Sequence, residues 1–576
     1  MSNSMMVSLR RALLLTAGFS ITLAAQAKKE LPLKYVGPPT RAAITSQDLM
    51  TRLYVFADDS MMGRQVGTEY NNKGTAYLER EVRRMGLKPG GENGTYFQAL
   101  PLVFRAMDPA STLVVGDRGF GAGTDFIARS GGKPLQFTDA EVVFGGLALD
   151  TLNLLDNTKV RGKVVLMRAA SLGPGFNQQA FASSNGYKAY QASLQGATIL
   201  SIGAEALPAN AVRTAMTPTN ATFLRSTEAS VTLTITAKVA EAMLGVPVAN
   251  ATKGMAGKRF TTNVRFKDTP NPFGRNVIAI LEGSDPVLKS EYVAIGAHND
   301  HVGFNARPVD HDSLKAFMMV VRPQGADNAP TQATPEQVAR VRALTDAARK
   351  LRPARVDSIF NGADDDGSGS MAVLEIAEAF AAMKLADRPK RSILFIWHAG
   401  EEAGLWGADH FTEHPTVPRE AIVAQLNMDM VGRGGANDVT GSAMDGGLLK
   451  GGAGYLQLVG SRRLSTELGD LVEDVNKAKK LKFNFDYGID ANGHPQNIYC
   501  RSDHYMYARW GIPVVFMTTG GHADYHQVTD EPQYIDYAHM QQISTLVLET
   551  AKRVASLDHR IVVDKAKPDP RGACVQ

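Results

Sequence analysis

The stretch from Ile393 to Asp409, ILFIWHAGEEAGLWGAD, decides how the rest of the chain is interpreted. Its first five residues are apolar, which is typical of a buried strand in a sheet covered on both faces. The strand runs into Gly400 and then two adjacent carboxylates, Glu401 and Glu402. Ligands of α/β sheets bind at the carboxyl ends of the strands, and paired buried acids need a cation or a proton. The stretch therefore indicates either a ligand site or the acidic first turn of a solvated helix.

Length and composition exclude several classes of protein. The chain has 576 residues, 44% of them hydrophobic and 21% charged, so we expect more than one folded domain and no wholesale disorder. The net charge is only +4 and the sequence has no long basic run, so nucleic acid is not an expected partner.

The beginning of the chain predicts export. Residues 1–27 contain Arg10-Arg11, an apolar run from Ala12 to Ala25, and the cleavage-site pattern Ala25-Gln26-Ala27, which together are typical of a signal peptide. The apolar run is too short to span a bilayer comfortably, so we expect no stable membrane anchor. The predicted location is periplasmic or extracellular.

The chain divides by composition into five segments. The predicted signal peptide is followed by residues 28–108, which carry amphipathic helix patterns and form the first part of a main domain. Residues 109–266 are short β-rich runs with frequent glycine, which indicates an inserted module. Strands alternating with helices return in residues 267–560, interrupted by a charged insertion at about 305–360, and residues 561–576 form a tail. The predicted fold class is α/β, with a mixed, mostly parallel twisted sheet covered by helices and an inserted β-rich domain.

Four other strand ends carry acidic or imidazole side chains. These are His298 with Asp300, the run Asp364-Asp365-Asp366, Asp429 in NMDM, and His526 in DYHQVTD. Each alone is commonly a loop residue or a turn residue. Together with the paired glutamates they favour a metal site, and because Cys500 and Cys574 are the only cysteines, any metal must be held by His, Asp and Glu.

The donor set suits a particular chemistry. Two histidines and three carboxylates fit two zinc ions with one bridging carboxylate. Glu401 is then a spare acid, placed to take a proton from a metal-activated water and to pass it to a leaving amine. The other nearby histidines are expected to support the ligands or to pack in the core; they are His301, His398, His504 and His522. In an oxidising compartment the two cysteines could pair.

Five motifs of the chain resemble, in order and type, those of the M28 family of di-zinc aminopeptidases. They are GAHND, NGADDDGSGS, FIWHAGEEAGLWGAD, LNMDM and YHQVTDEP. The segments DDSMMGRQVGT and GLKPGGENGTYFQALPL are similar to the lead-in of the larger secreted members. The β-rich segment resembles the protease-associated (PA) domain that those members carry.

The resemblance implies a zinc exopeptidase-like fold and a metal role for five residues. His298 and Asp429 would bind one zinc ion, and Glu402 and His526 would bind the second. Asp365 would bridge both ions, whereas its two neighbouring aspartates would not.

The resemblance also implies three catalytic roles. Glu401 would be the general base, and Asp300 would orient His298 and its surroundings. Tyr525 would hydrogen-bond the oxyanion, or would merely pack beside His526.

The function that follows is that of a secreted zinc-dependent aminopeptidase acting on peptides with a free amino terminus. The alternatives are a carboxypeptidase, another amide hydrolase or acyltransferase on the same di-zinc fold, or a non-enzymatic binding relative. A carboxypeptidase would need a cation for the terminal carboxylate, and the sequence does not place Arg433, Arg501 or Arg509. The insertion at 305–360 and the glycine-rich residues 434–454, a predicted loop, depart from the family pattern and could restrict the substrates.

Overall fold

The computed structural model describes residues 31–129, 135–170, 181, 184–203, 205–224 and 231–576. The predicted signal peptide, residues 1–27, lies outside the described residues. Within the described ranges, no helix combines the length and the apolarity needed to cross a bilayer.

A mixed sheet of nine strands organises the main domain of the described chain. Its four central strands are parallel and lie in the spatial order Ser392–His398, Tyr292–His298, Ile422–Met428, Val514–Thr518. Antiparallel pairing begins on either side of them, at Arg275–Leu281 and at Tyr455–Val459. The outer strands are Lys88–Pro89, Phe97–Ala99 and Asn484–Asp486. The predicted α/β class is confirmed, with parallel pairing concentrated at the centre of the sheet.

Helices cover both faces of this sheet, as the apolar run Ile393–Trp397 predicts. Side chains of a strand alternate between faces, so Ile393, Phe395 and Trp397 join one core while Leu394 and Ile396 join the other. The first core is closed by five helices: Ser46–Phe56, Glu69–Arg84, Gly369–Ala381, Thr466–Ala478 and Tyr537–Ala555. The second core is closed by Trp406–Glu413 and His504–Ala508.

The β-rich segment leaves and rejoins the main domain through one antiparallel stem. Leu102–Met107 pairs with Phe266–Asn271 and with the short strand Thr222–Phe223, and the Asp108 amide donates to the Arg265 carbonyl oxygen at 2.8 Å. Beyond this stem the segment has its own sheets and its own apolar core. One sheet contains Val142–Leu147, Val164–Arg168, Thr198–Ile202, Thr232–Ile235 and Phe126–Arg129, and the other contains Arg118–Gly121, Thr112–Val115, Phe260–Val264 and Leu135–Ala140. In the described part of the segment, helices span Asn157–Val160, Asn185–Ser193, Ala209–Met216 and Ala237–Leu244.

The insertion at 305–360 is a structured arm. Strands Phe304–Asp310 and Val356–Ile359 pair at its base, and helices His311–Val321 and Pro335–Leu351 pack between them. Two carboxylates of the segment that precedes the last helix hold the arm: Glu531, which contacts His311 Nε2 at 2.7 Å and also pairs with Arg355, and Asp524, which pairs with Lys315 Nζ at 2.7 Å. The arm is therefore fixed to the main domain through buried carboxylates.

Two further features lie close to the carboxyl ends of the central strands. The prediction of a loop throughout residues 434–454 is wrong, because Val439–Ser442 and Leu448–Lys450 pair as a hairpin. Their β-branched and leucine side chains supply strand-forming residues among the glycines. Cys500 and Cys574 form a disulfide, which fastens the end of the chain beside Arg501.

Candidate metal centre

The carboxyl ends of the parallel strands and the turns beside them bring the five predicted ligands together. His298 ends its strand, and Asp365 lies in the turn that leads into the helix Gly369–Ala381. The pair at Glu401 and Glu402, Asp429 and His526 all follow the other strands of the central set. Parallel strands place their carboxyl ends at one edge, which is why residues far apart in sequence become neighbours.

The five side chains form two groups that share Asp365. In the first group, His298 Nε2 lies 3.2 Å from Asp365 Oδ1 and 3.7 Å from Asp429 Oδ1. In the second, His526 Nε2 lies 2.9 Å from Asp365 Oδ2 and 2.9 Å from Glu402 Oε2. The two oxygens of one carboxylate therefore point to different groups, as a bridging ligand requires.

These donors fit metal ions. Ligands held tetrahedrally at the usual zinc distances lie about 3.3 Å from one another, close to the separations in both groups. His298 Nε2 and His526 Nε2 are buried, yet neither makes a hydrogen bond of acceptable geometry within the described chain. Buried imidazole nitrogens that lie among carboxylates without hydrogen-bonding them are arranged as co-ligands of a cation.

Neighbouring groups fix the ligands in place. Asp366 accepts hydrogen bonds from the backbone amides of His298 at 3.1 Å, Gly369 at 2.8 Å and Met430 at 3.2 Å. Ser502 Oγ donates to Asp429 Oδ2 at 2.7 Å, the oxygen that is not the one nearest His298. The peptide bond between Asp365 and Asp366 is cis.

The remaining aspartate of the run also has a supporting position. Asp364 accepts from the Gly432 amide at 2.6 Å and lies 3.2 Å from His522 Nε2. Like Asp366, it is outside both metal-binding groups of the described chain.

Glu401 lies beside the first group but belongs to neither. Its Oε2 is 3.9 Å from His298 Nε2, and its side chain is largely buried. Burial raises the pKa of the Glu401 carboxyl well above its usual value, against the opposing effect of His298. Asp300 accepts hydrogen bonds from the amides of Gly400 at 2.7 Å and Glu401 at 3.1 Å, so it fixes the turn that presents Glu401.

Arg64 was not predicted as a site residue, although it lies in the DDSMMGRQVGT segment. Its guanidinium is completely buried and donates to the carbonyl oxygens of Asn299, Asn361 and Gly362 at 3.3, 2.7 and 2.9 Å. Burial lowers the pKa of Arg64 to about 10. One side chain thereby holds together the turn after His298 and the turn before Asp364.

A pocket opens beside the two groups. Its lining includes Asp365, Glu401 and Asp429 as well as Arg501 and Tyr525. Arg501 Nη2 donates to the Tyr525 hydroxyl oxygen at 3.1 Å, and the Tyr525 ring packs against the His526 ring with centroids 4.1 Å apart and the ring planes tilted by 32°. Tyr525 therefore reaches the pocket with its hydroxyl and also packs against a predicted ligand.

Residues 276–551 match the family model described as peptidase family M28. The matched range contains all five predicted ligands, Glu401 and the arm at 305–360. Residues 276–551 belong to peptidase family M28. The β-rich segment lies outside the matched range, and its likeness to a PA domain remains a prediction.

Curated relatives of the M28 domain carry peptidase names. A probable leucine aminopeptidase of Arthroderma benhamiae is 36% identical over 125 residues, which are 21% of this chain and 35% of that protein. Leucine aminopeptidase 1 of Uncinocarpus reesii is 28% identical over 206 residues, 34% of this chain and 46% of that protein. The chain thus spans from about a third to a half of the length of these relatives. Among solved structures, the aminopeptidase from Aneurinibacillus sp. strain AM-1 aligns with a TM-score of 0.42 at 15% identity, covering 91% of this chain and 97% of that one.

Among the four further histidines named from the sequence, His301 is the one that lies within the second group of side chains. Its Nδ1 lies 2.6 Å from Glu402 Oε1 and 3.7 Å from Asp365 Oδ2, so it joins the second group geometrically. The nearest contact is a hydrogen bond to the oxygen of Glu402 that is not directed at His526. His301 therefore orients Glu402, whereas His398 and His504 lie outside both groups. The only sequence signal for His301 was its place at the end of the motif HNDH, three residues after His298.

Replacing His301 separates orientation from direct ligation. We expect His301→Leu to weaken metal binding at the second group by about 10–100-fold, the usual effect of removing a hydrogen bond to a ligand. His301→Asn should retain most of the affinity, because an asparagine amide can donate from nearly the position of Nδ1. Metal titration of the two purified variants measures both affinities. Equal losses in both would show that the imidazole itself binds the ion.

Proposed function

We propose that this chain is an exported zinc aminopeptidase that hydrolyses the first peptide bond of peptides with a free amino terminus. The observation that carries the proposal is the position of Glu401, a largely buried carboxylate that lies beside the first metal-binding group and belongs to neither group. Membership of residues 276–551 in family M28 and the names of the curated relatives support the same activity.

Each zinc ion would have its own set of donors. His298 and Asp429 would hold one ion, Glu402 and His526 the other, and Asp365 would bridge them. Bound there, zinc would supply Lewis acidity that polarises the scissile carbonyl and lowers the pKa of water. Nitrogen and carboxylate oxygen donors without sulfur are typical of catalytic zinc sites.

Glu401 would act as the general base. Its carboxylate would take a proton from the attacking water and then deliver it to the nitrogen of the departing peptide. Asp300 would serve as a positioning residue, because the hydrogen bonds that it accepts from the Gly400 and Glu401 amides fix the backbone from which the Glu401 side chain projects.

Tyr525 would stabilise the negative charge that develops on the carbonyl oxygen. Burial raises the pKa of the Tyr525 hydroxyl well above its usual value, so it stays protonated and can donate a hydrogen bond. Its oxygen already accepts from Arg501 at 3.1 Å, which increases the acidity of the donated proton and fixes its direction.

The placement of the arginines favours an aminopeptidase over a carboxypeptidase. Arg433 pairs with Asp524 at 2.9 Å, and Arg509 pairs with Asp409 at 2.8 Å. Arg501 reaches the pocket, but it pairs with Asp327 of the arm at 3.0 Å. A substrate carboxylate would have to displace a protein carboxylate at each of these positions, which costs binding energy. The retention of both metal-binding groups and Glu401 also argues against a non-enzymatic relative.

Export is supported by the disulfide between Cys500 and Cys574. Disulfides persist in oxidising compartments and are rare in the cytosol. A periplasmic or extracellular location therefore agrees with the predicted signal peptide.

Metal analysis combined with a substrate panel tests the proposal. We expect two zinc ions per chain and chelator-sensitive release of p-nitroaniline from aminoacyl p-nitroanilides. Acetylation of the substrate amine should abolish release, because the enzyme would no longer meet a free amino terminus. Activity that survives acetylation, or cleavage only at a free carboxyl terminus, would overturn the assignment.

A further inference from the structure

The pocket beside the metal-binding groups is where the first side chain of a bound peptide would lie. Its walls beyond the metal-binding carboxylates are mostly uncharged, with apolar contributions from Met430, Ile489 and Phe516 and amide groups from Gln457 and Gln496. Among the described residues, Asp327 and Arg501 are the charged exceptions in this part of the lining. The ionic character of the pocket therefore depends on that pair.

Asp327 and Arg501 form a two-pronged ion pair. Arg501 Nη1 donates to Asp327 Oδ2 at 3.0 Å, and Nη2 donates to Oδ1 at 3.0 Å. Bidentate pairs of this kind are the strongest and most directional that arginine makes with a carboxylate. The carboxylate comes from the arm, so the insertion cancels a positive charge that the rest of the M28 domain places in the pocket.

The arm holds Asp327 rigidly at this position. The Ala326 amide donates to the Tyr525 carbonyl oxygen at 3.1 Å, next to the ion pair. Gly325 has φ +59°, and a Cβ there would lie 2.5 Å from the same carbonyl oxygen, so only glycine permits this approach. Lys315 of the arm also pairs with Asp524, directly before Tyr525. This part of the arm is a fixed wall of the pocket.

We propose that Asp327 is a specificity-determining residue, which makes the pocket select an uncharged first side chain by neutralising Arg501. This inference rests on the proposed aminopeptidase function. An arginine without its carboxylate partner, in a pocket whose other walls are mostly uncharged, would attract an acidic side chain. With the partner in place, an acidic side chain would meet the Asp327 carboxylate, and a basic one would meet Arg501.

Asp327→Asn tests the inference, because it removes the charge and keeps the shape of the side chain. We expect the ratio of kcat/KM for glutamyl-p-nitroanilide to that for leucyl-p-nitroanilide to rise by about tenfold or more, the effect typical of one charge-assisted hydrogen bond. Asp346→Asn makes the same change on the exposed side of the arm and should leave the ratio unchanged. Adding Arg501→Met to Asp327→Asn should abolish the gain.

Two measurements do not depend on the turnover of the variant. Free L-glutamate should raise the melting temperature of Asp327→Asn more than that of the wild-type protein, while L-leucine should act equally on both. The wild-type enzyme should cleave leucyl substrates at least about tenfold better than glutamyl or lysyl ones. An unchanged ratio in Asp327→Asn, or a wild-type enzyme that accepts charged side chains equally well, would overturn the inference. If no aminoacyl substrate is cleaved, it is the proposed function that fails.

Discussion

Replacing Glu401 with glutamine is expected to lower kcat by about 10²–10⁴-fold, the range that a positioned acid–base group contributes. The zinc content should stay at the wild-type value, because Glu401 lies outside both metal-binding groups of the described chain. Glutamine has the shape of glutamate but cannot accept a proton at neutral pH. Steady-state kinetics and metal analysis on the same preparation measure the two quantities.

The adjacent residue provides the matched control for Glu401. Glu402→Gln makes the same chemical change one position away, but Glu402 Oε2 lies 2.9 Å from His526 Nε2, within the second group. We therefore expect Glu402→Gln to lose metal as well as activity. If Glu401→Gln also lost zinc, or if it kept a wild-type kcat, the division of roles between the two glutamates would be wrong.

Replacing Asp365 with asparagine is expected to remove both metal ions and reduce activity to the background. Asp365 Oδ1 lies 3.2 Å from His298 Nε2, and Oδ2 lies 2.9 Å from His526 Nε2, so each group depends on one of its oxygens. The amide nitrogen of asparagine is a poor ligand, and the charge that compensates two cations would be lost. Zinc content after dialysis, measured by metal analysis, should fall close to zero.

A variant that alters only one metal-binding group is the control for the loss of zinc in Asp365→Asn. Asp429→Asn affects only the group of His298, so about one zinc ion should remain. The melting temperature should fall further for Asp365→Asn than for Asp429→Asn, because metal binding adds to the free energy of unfolding. Retention of one tightly bound ion in Asp365→Asn would contradict the bridging position.

The core and the ligand positions were accessible from sequence because both depend on local patterns. Apolar runs such as Ile393–Trp397 predict central strands, and the α/β order then predicts which strand ends meet. That logic places His298, Asp429 and His526 at one edge without any contact information. The roles given to these residues remain predictions until their variants are measured.

What sequence did not predict depends on contacts between distant segments. A supporting or core role for His301 was expected from sequence, but its partner was not, because only the fold sets its Nδ1 2.6 Å from Glu402 Oε1. Asp327 lies in a charged stretch without a motif, and its meaning comes from a partner 174 positions away. Arg64 resembles any surface arginine in sequence, yet four backbone carbonyl oxygens accept hydrogen bonds from its guanidinium and make its burial favourable. The hairpin at 439–450 was missed because glycine-rich composition hid two short strand patterns.

The stem formed by Leu102–Met107 and Phe266–Asn271 links the stabilities of the two folded units. To the main domain, residues 108–265 are one very long loop whose ends must be held a few ångströms apart. A folded insert already keeps its ends side by side, whereas an unfolded chain of that length would cost about 3 kcal/mol more to close than a tight turn. Unfolding of the β-rich unit would therefore lower the stability of the peptidase domain, and it would also remove the packing of Phe223 against Trp406. The folded insert holds the two strands of the stem together. A short engineered turn that joins these strands would close the same loop without the insert.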